Sequence, residues 1–121
     1  MSARILVIED DERIRGVLER GLRLAGHQPT FAPDLASGRH LWTDDAHDLV
    51  LLDVMLPDGN GIELLAERRD AGDLTPTVLL TAREDADLRD RATTAGATAY
   101  LTKPFAYADL LACVTRLTDA P

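Results

Sequence analysis

Three short runs in this chain are apolar at every consecutive position, and they constrain its fold more than anything else in the sequence. They are Ile5 to Ile8 (ILVI), Leu49 to Leu52 (LVLL) and Val78 to Leu80 (VLL). A strand with one wet face alternates apolar and polar residues, whereas an unbroken apolar run of this length reads as a strand covered on both faces. Pro29 to Ala32 (PTFA) and Ala99 to Thr102 (AYLT) are weaker candidates of similar length. The stretches between the runs have helical spacing. Ile14, Val17, Leu18, Leu22 and Ala25 mark a first helix stopped at Gly26. Leu35, Leu41 and Trp42 mark a second, which Ser37-Gly38 is expected to interrupt. Ile62, Leu64, Leu65 and Arg68 mark a third, and Leu88, Ala92 and Ala95 a fourth ending at Gly96. Leu110, Leu111, Val114 and Leu117 mark a fifth. Five such alternations predict an α/β fold, with a doubly wound parallel sheet between two layers of helices.

A length of 121 residues suits one domain with a single sheet. No apolar run approaches the roughly 18–20 residues that cross a membrane, and the start, MSARILVIEDDE, turns acidic too soon for a secretory signal. The single cysteine, Cys113, leaves no internal disulfide and fits a reducing cytoplasm. The formal net charge of −8 repels phosphate backbones, so direct nucleic-acid binding is not expected. A bound cation or a basic partner fits the charge, as does plain solubility.

Ligands of open parallel sheets sit beyond the carboxyl ends of the strands, so those ends are read together. The first run ends in Glu9-Asp10-Asp11, the third in Asp53, the fourth in Thr81-Ala82 and the fifth in Thr102-Lys103-Pro104. A carboxylate at the end of a buried strand needs a partner or a task. Glu9, Asp10 and Asp53 suit a hard divalent cation with oxygen ligands, magnesium first, while Asp11 reads more simply as a helix cap. Lys103 can balance the carboxylates and hold an anionic oxygen, although a lone loop lysine is ordinarily solvated. Pro104 can take a cis bond that aims Lys103 into the site. The Thr81 hydroxyl can donate to a phosphate oxygen.

The segments ILVIEDDE, LVLLDVMLPDGNG, VLLTAR and AYLTKPF, in this order and spacing, resemble the receiver domain of bacterial two-component response regulators. The resemblance runs from Arg4 to about Leu117, with the domain placed at residues 4–118, and LPDGNG, LTAR and LTKPF are most similar to the winged-helix transcription-factor class. It implies a flavodoxin-like (βα)5 fold of strand order 2-1-3-4-5. It implies that a sensor histidine kinase phosphorylates Asp53, with Mg2+ held by Asp10, Asp53, the Met55 backbone carbonyl and, through water, Glu9. Such a domain promotes its own phosphorylation and dephosphorylation without being a conventional enzyme. Thr81 and Lys103 are then expected to sense the phosphoryl oxygens. Tyr100 would turn inward as Thr81 moves, altering a face of helix 4, strand 5 and helix 5 that serves homodimerisation. Met55 and Arg83 flank the site and tune hydrolysis of the phosphoryl group.

The sequence departs from that class in two places. Thr98-Ala99 stands where an acidic pair precedes the strand-5 aromatic, and Cys113 where helix 5 carries an arginine. The salt bridges of the usual dimer are therefore in question, and Arg91 of helix 4 is left without its expected partner. Two rival readings fare less well. A phosphatase of the haloacid-dehalogenase kind needs an aspartate where Met55 stands. A degenerate receiver that only binds proteins would have lost Asp53, Lys103 or the acidic pair, and all are present. The chain stops at Asp119-Ala120-Pro121, where a linker to a DNA-binding domain would begin. The regulatory half of a transcription regulator is therefore expected ahead of a stand-alone receiver.

Overall fold

A computed structural model describes residues 2–82 and 86–118. Strands and helices alternate along the chain as β1 (Arg4–Ile8), α1 (Glu12–Leu24), β2 (Gln28–Ala32), α2 (Leu35–Asp44) and β3 (Leu49–Asp53), followed by α3 (Gly61–Asp70), β4 (Thr77–Thr81), α4 (Ala86–Ala95), β5 (Ala99–Thr102) and α5 (Tyr107–Thr118). The five strands form one parallel sheet in the order 2-1-3-4-5. This is the doubly wound, flavodoxin-like architecture, and its strand order reverses at β1 and β3.

Why the apolar runs are unbroken is plain from the packing. Odd-numbered residues of the central strands (Ile5, Val7, Leu49, Leu51, Val78, Leu80) pack with Leu18 and Leu22 of α1 and Leu110, Cys113 and Val114 of α5. Even-numbered residues (Leu6, Ile8, Val50, Leu52) join Leu79 against Trp42 of α2, Ile62 and Leu65 of α3, and Leu88 of α4. Each central strand thus feeds two cores at once, and strict alternation would have left one face wet. The edge strands are only partly covered, and Pro29, which cannot donate to a ladder, lies in the edge strand β2.

Several expectations are corrected. Ser37-Gly38 does not interrupt α2, which is continuous. Gly38 is there for close approach: a Cβ would lie 2.6 Å from Ile8 Cδ1. In α1 the buried stripe is Leu18 and Leu22, whereas Val17 is 56% exposed and Ala25 lies on the surface. After β3, Met55–Leu56 and Gly59–Asn60 pair as a small antiparallel ladder that no pattern in the sequence marks. Gly26 does stop α1, with φ +91° and the His27 amide donating back to Leu22 O at 2.9 Å.

Gly61 begins α3, and a Cβ there would run into the backbone carbonyl of Asp53. No side-chain adjustment relieves a clash with main chain. Gly61→Ala is therefore expected to cost about 1–3 kcal/mol, measured by urea unfolding.

Candidate phosphoacceptor site

β1 and β3 are neighbours, so their carboxyl ends deliver Glu9, Asp10 and Asp53 to one spot at the reversal point of the sheet. Candidate ligand oxygens of these three residues lie within 4.8 Å of one another. Glu9 is 0% and Asp53 4% exposed, while Asp10 faces solvent. Lys103 reaches in from the end of β5, its Nζ 2.5 Å from Glu9 Oε1 and 3.0 Å from Asp53 Oδ2. The Lys103–Pro104 peptide is cis, and the Lys103 amide donates to Thr81 O at 2.6 Å. Asp53 Oδ1 accepts from the Met55 amide at 3.2 Å, and Glu9 Oε2 from the Asp11 amide at 3.1 Å. Thr81, 1% exposed, closes β4 beside Asp53.

Among the described residues the charges do not balance: three carboxylates face one ammonium. Burial pushes the Glu9 carboxyl up to about 7, although Lys103 pulls the other way. Burial also works against the Lys103 ammonium, but its bonds to Glu9 and Asp53 outweigh it and hold its pKa above the ordinary lysine value. A purely oxygen donor set with unbalanced negative charge fits a hard divalent cation. On chemistry alone, the site suits holding such a cation beside a buried carboxylate.

The remaining predicted residues separate cleanly. Asp11 is the N-cap of α1, accepting from the amides of Arg13 and Ile14 at 2.9 and 3.3 Å. Those two bonds hold its carboxyl below the usual range. Tyr100 pairs with Leu79 in the β4–β5 ladder, half-buried against the α2–α4 core. Met55 has its side chain 62% exposed next to the site. Arg83 lies outside the described residues. Cys113 is buried in the α1–α5 core, where burial raises its thiol pKa. Thr98 turns its hydroxyl onto the sheet, accepting from the Thr77 amide at 3.0 Å. Neither of these replacements offers a charge to the surface.

Two contributors had no sequence signal of their own. Asp58, in the Pro-Asp-Gly-Asn loop, accepts from the amides of Leu35 and Ala36 at 2.8 and 3.0 Å, tying the loop after Asp53 to the start of α2. Arg15 donates to the carbonyl of Glu9 at 2.9 Å. An aspartate in a turn and an arginine on a helix are ordinarily solvated, so their spacing gives nothing away. An open cleft of about 470 Å³, lined by Ile14, Val17, Ala82, Lys103, Pro104 and Phe105 among others, leads away from Lys103.

A doubly wound sheet with an acidic cluster at its reversal point, faced by a lysine, defines a class of α/β domains whose site suits a divalent cation. Comparison with known proteins narrows it. The response regulator receiver domain family matches residues 5–115. The probable transcriptional regulatory protein SilR of Salmonella typhimurium is 42% identical over 114 residues, which are 94% of this chain and 50% of that protein. The response regulator MprA of Mycobacterium bovis is 40% identical over 112 residues, 93% of this chain and 49% of that protein. The receiver domain of the Francisella response regulator 1452 superposes with a TM-score of 0.92 at 28% identity, covering 97% of both chains. The chain belongs to the response regulator receiver domain family of two-component systems. It spans about half the length of the curated relatives it matches.

Removing Lys103 leaves buried carboxylates without a counter-charge. Lys103→Met in EDTA is expected to destabilise the domain by on the order of 2 kcal/mol, discounted from a fully buried pair because the site opens to water. Urea unfolding beside wild type measures it.

Proposed function

We propose that this domain, residues 4–118, accepts a phosphoryl group on Asp53 from the phosphohistidine of a sensor histidine kinase. The observation that carries the reading is the buried Asp53 carboxylate, held by Lys103 and the Met55 amide beside Glu9 and Asp10. Glu9, Asp10, Asp53 and the Met55 carbonyl would hold Mg2+, which supplies positive charge to the incoming phosphoryl oxygens. An Asp53 oxygen forms the bond to phosphorus as the phosphorus–nitrogen bond to the imidazole breaks, leaving an acyl phosphate. Lys103 supplies a fixed charge on one side of the phosphoryl group, and the Thr81 hydroxyl donates from the other. The cleft from Lys103 over Phe105 offers the approach.

The signal then passes through Thr81 and Tyr100 to the face of α4, β5 and α5, a two-state element biased by local charge. A homodimer on that face is the outcome we assign to phosphorylation. It forms without the usual salt bridges, since Thr98 carries no charge and Cys113 is buried. The output is control of transcription in a cytoplasmic regulator of the winged-helix class. Two observations support it: the similarity to SilR, and the absence of any described helix long and apolar enough to cross a membrane. DNA contact is assigned to another part of such a regulator, in keeping with the net charge of −8.

Intact mass after incubation with acetyl phosphate and Mg2+ tests the reaction. The chain is expected to gain one phosphoryl group, and Asp53→Ala or EDTA to abolish the gain. No gain in wild type, where a competent receiver in the same buffer reacts, would leave a binding-only module. Met55 offers no group to orient an attacking water, so the phosphorylated form is expected to last minutes or longer. Decay of the mass shift within seconds would refute that.

A further inference from the structure

Tyr100 has a cationic neighbour on α4. The Arg89 guanidinium lies over the Tyr100 ring, 5.5 Å from its centroid, within the range at which a cation is attracted to an aromatic face. α4 is well placed to hold it there. Leu88 and Ala92 anchor the helix in the core, and the Thr93 hydroxyl donates to the carbonyl of Arg89 at 3.0 Å. At the far end of α4, Arg69 donates from Nε and Nη2 to Gly96 O at 3.2 and 3.0 Å. Around the ring the side chains are small. Ala92, Thr93, Ala97, Thr98 and Ala99 line an open cavity of about 270 Å³ that Arg89 and Tyr100 share. β5 offers the guanidinium no carboxylate beside the ring, because residues 98 and 99 are Thr and Ala and the Thr98 hydroxyl is engaged with the Thr77 amide.

We infer that Arg89 is a positioning residue for the switch: its guanidinium, stacked on Tyr100, holds the ring in the resting position and so restrains passage to the phosphorylated conformation. The inference rests on the reading above, in which Tyr100 reorients as Asp53 is phosphorylated. A contact made in the resting state and lost in the other biases the equilibrium by its own strength. At a partly exposed site, a cation on an aromatic face corresponds to roughly a two- to fivefold shift in that equilibrium.

The test uses the whole chain with 13C-labelled tyrosine, whose two tyrosines, Tyr100 and Tyr107, keep the spectrum simple. Beryllofluoride with Mg2+ defines the switched position of the Tyr100 signal. Acetyl-phosphate phosphorylation is followed by intact mass in parallel. Arg89→Gln is expected to move the unliganded Tyr100 signal toward the switched position and to raise the phosphorylation rate roughly two- to fivefold. Arg89→Lys, which keeps the cation, is expected to stay near wild type. In a Tyr100→Leu background, Arg89→Gln should change the rate no further. A phosphorylated wild type with Arg89→Gln indistinguishable from it, or slower, overturns the inference alone. So does a rate effect that persists without the ring. A wild type that takes no phosphoryl group overturns the reading of the site, and the inference with it.

Discussion

Everything in this domain answers to a shortage of positive charge at one end of its sheet. Adjacent parallel strands β1 and β3 bring Glu9 and Asp53 together with almost no exposure, and Asp10 adds a third carboxylate at the rim. Among the described residues Lys103 meets them, and it is held by an edge strand, a cis peptide at Pro104 and a main-chain bond to Thr81. Grouped like charges of this kind lower stability. A fold that carries the cost has a use for the site, and the imbalance is what makes it receptive to a divalent cation. It also ties the site's architecture to its surroundings. Gly61 must lack a side chain so that α3 can start against the Asp53 carbonyl, and Asp58 fastens the loop after Asp53 to α2.

The fold was legible where burial alone decides residue type. ILVI, LVLL and VLL could be read as central strands because both faces are covered, an environment that keeps three or four consecutive side chains apolar in so short an element. Where a residue's role depends on a distant partner, the sequence was silent or misleading. Gly38 looks like a break in α2 because its reason, the Ile8 side chain of β1, is thirty residues away. Val17 looks like core because helical spacing tolerates it there, and only the packed sheet shows that Leu18 and Leu22 define the buried stripe.

The site shows the same division. The acidic pair, Asp53, Thr81 and Lys103 could be grouped before any coordinates because strand ends in a parallel sheet share one edge, and the structure brings Lys103 onto Glu9 and Asp53 directly. Asp11 separated correctly as a cap, since a first-turn carboxylate satisfies amides that nothing else can. Asp58 and Arg15 stayed hidden because each acts on main chain, through contacts 22 or more and 6 residues along the sequence that no local pattern marks. Family resemblance predicts surface charges at positions 98 and 113, but here Thr98 serves the β4 edge and Cys113 the core.

Neither residue carries a charge; Thr98 directly precedes β5 and Cys113 lies within α5. α4 is fixed at its C-terminal end, where Arg69 holds the Gly96 carbonyl and Gly96 takes a positive φ of +99° against the Arg69 side chain. Leu88 and Ala92 pack it into the core beside Tyr100, and Arg89 lies over the Tyr100 ring. A helix pinned at one end and packed on small side chains can adjust at its other end without unpacking the core, because few large groups interdigitate there. The N-terminal end of α4 follows Thr81, which directly succeeds Leu80, the register partner of Asp53. The path from charge at Asp53 to the shape of the α4 surface is therefore short. On the inference above, the Arg89 guanidinium resting on the Tyr100 ring is one restraint on that path.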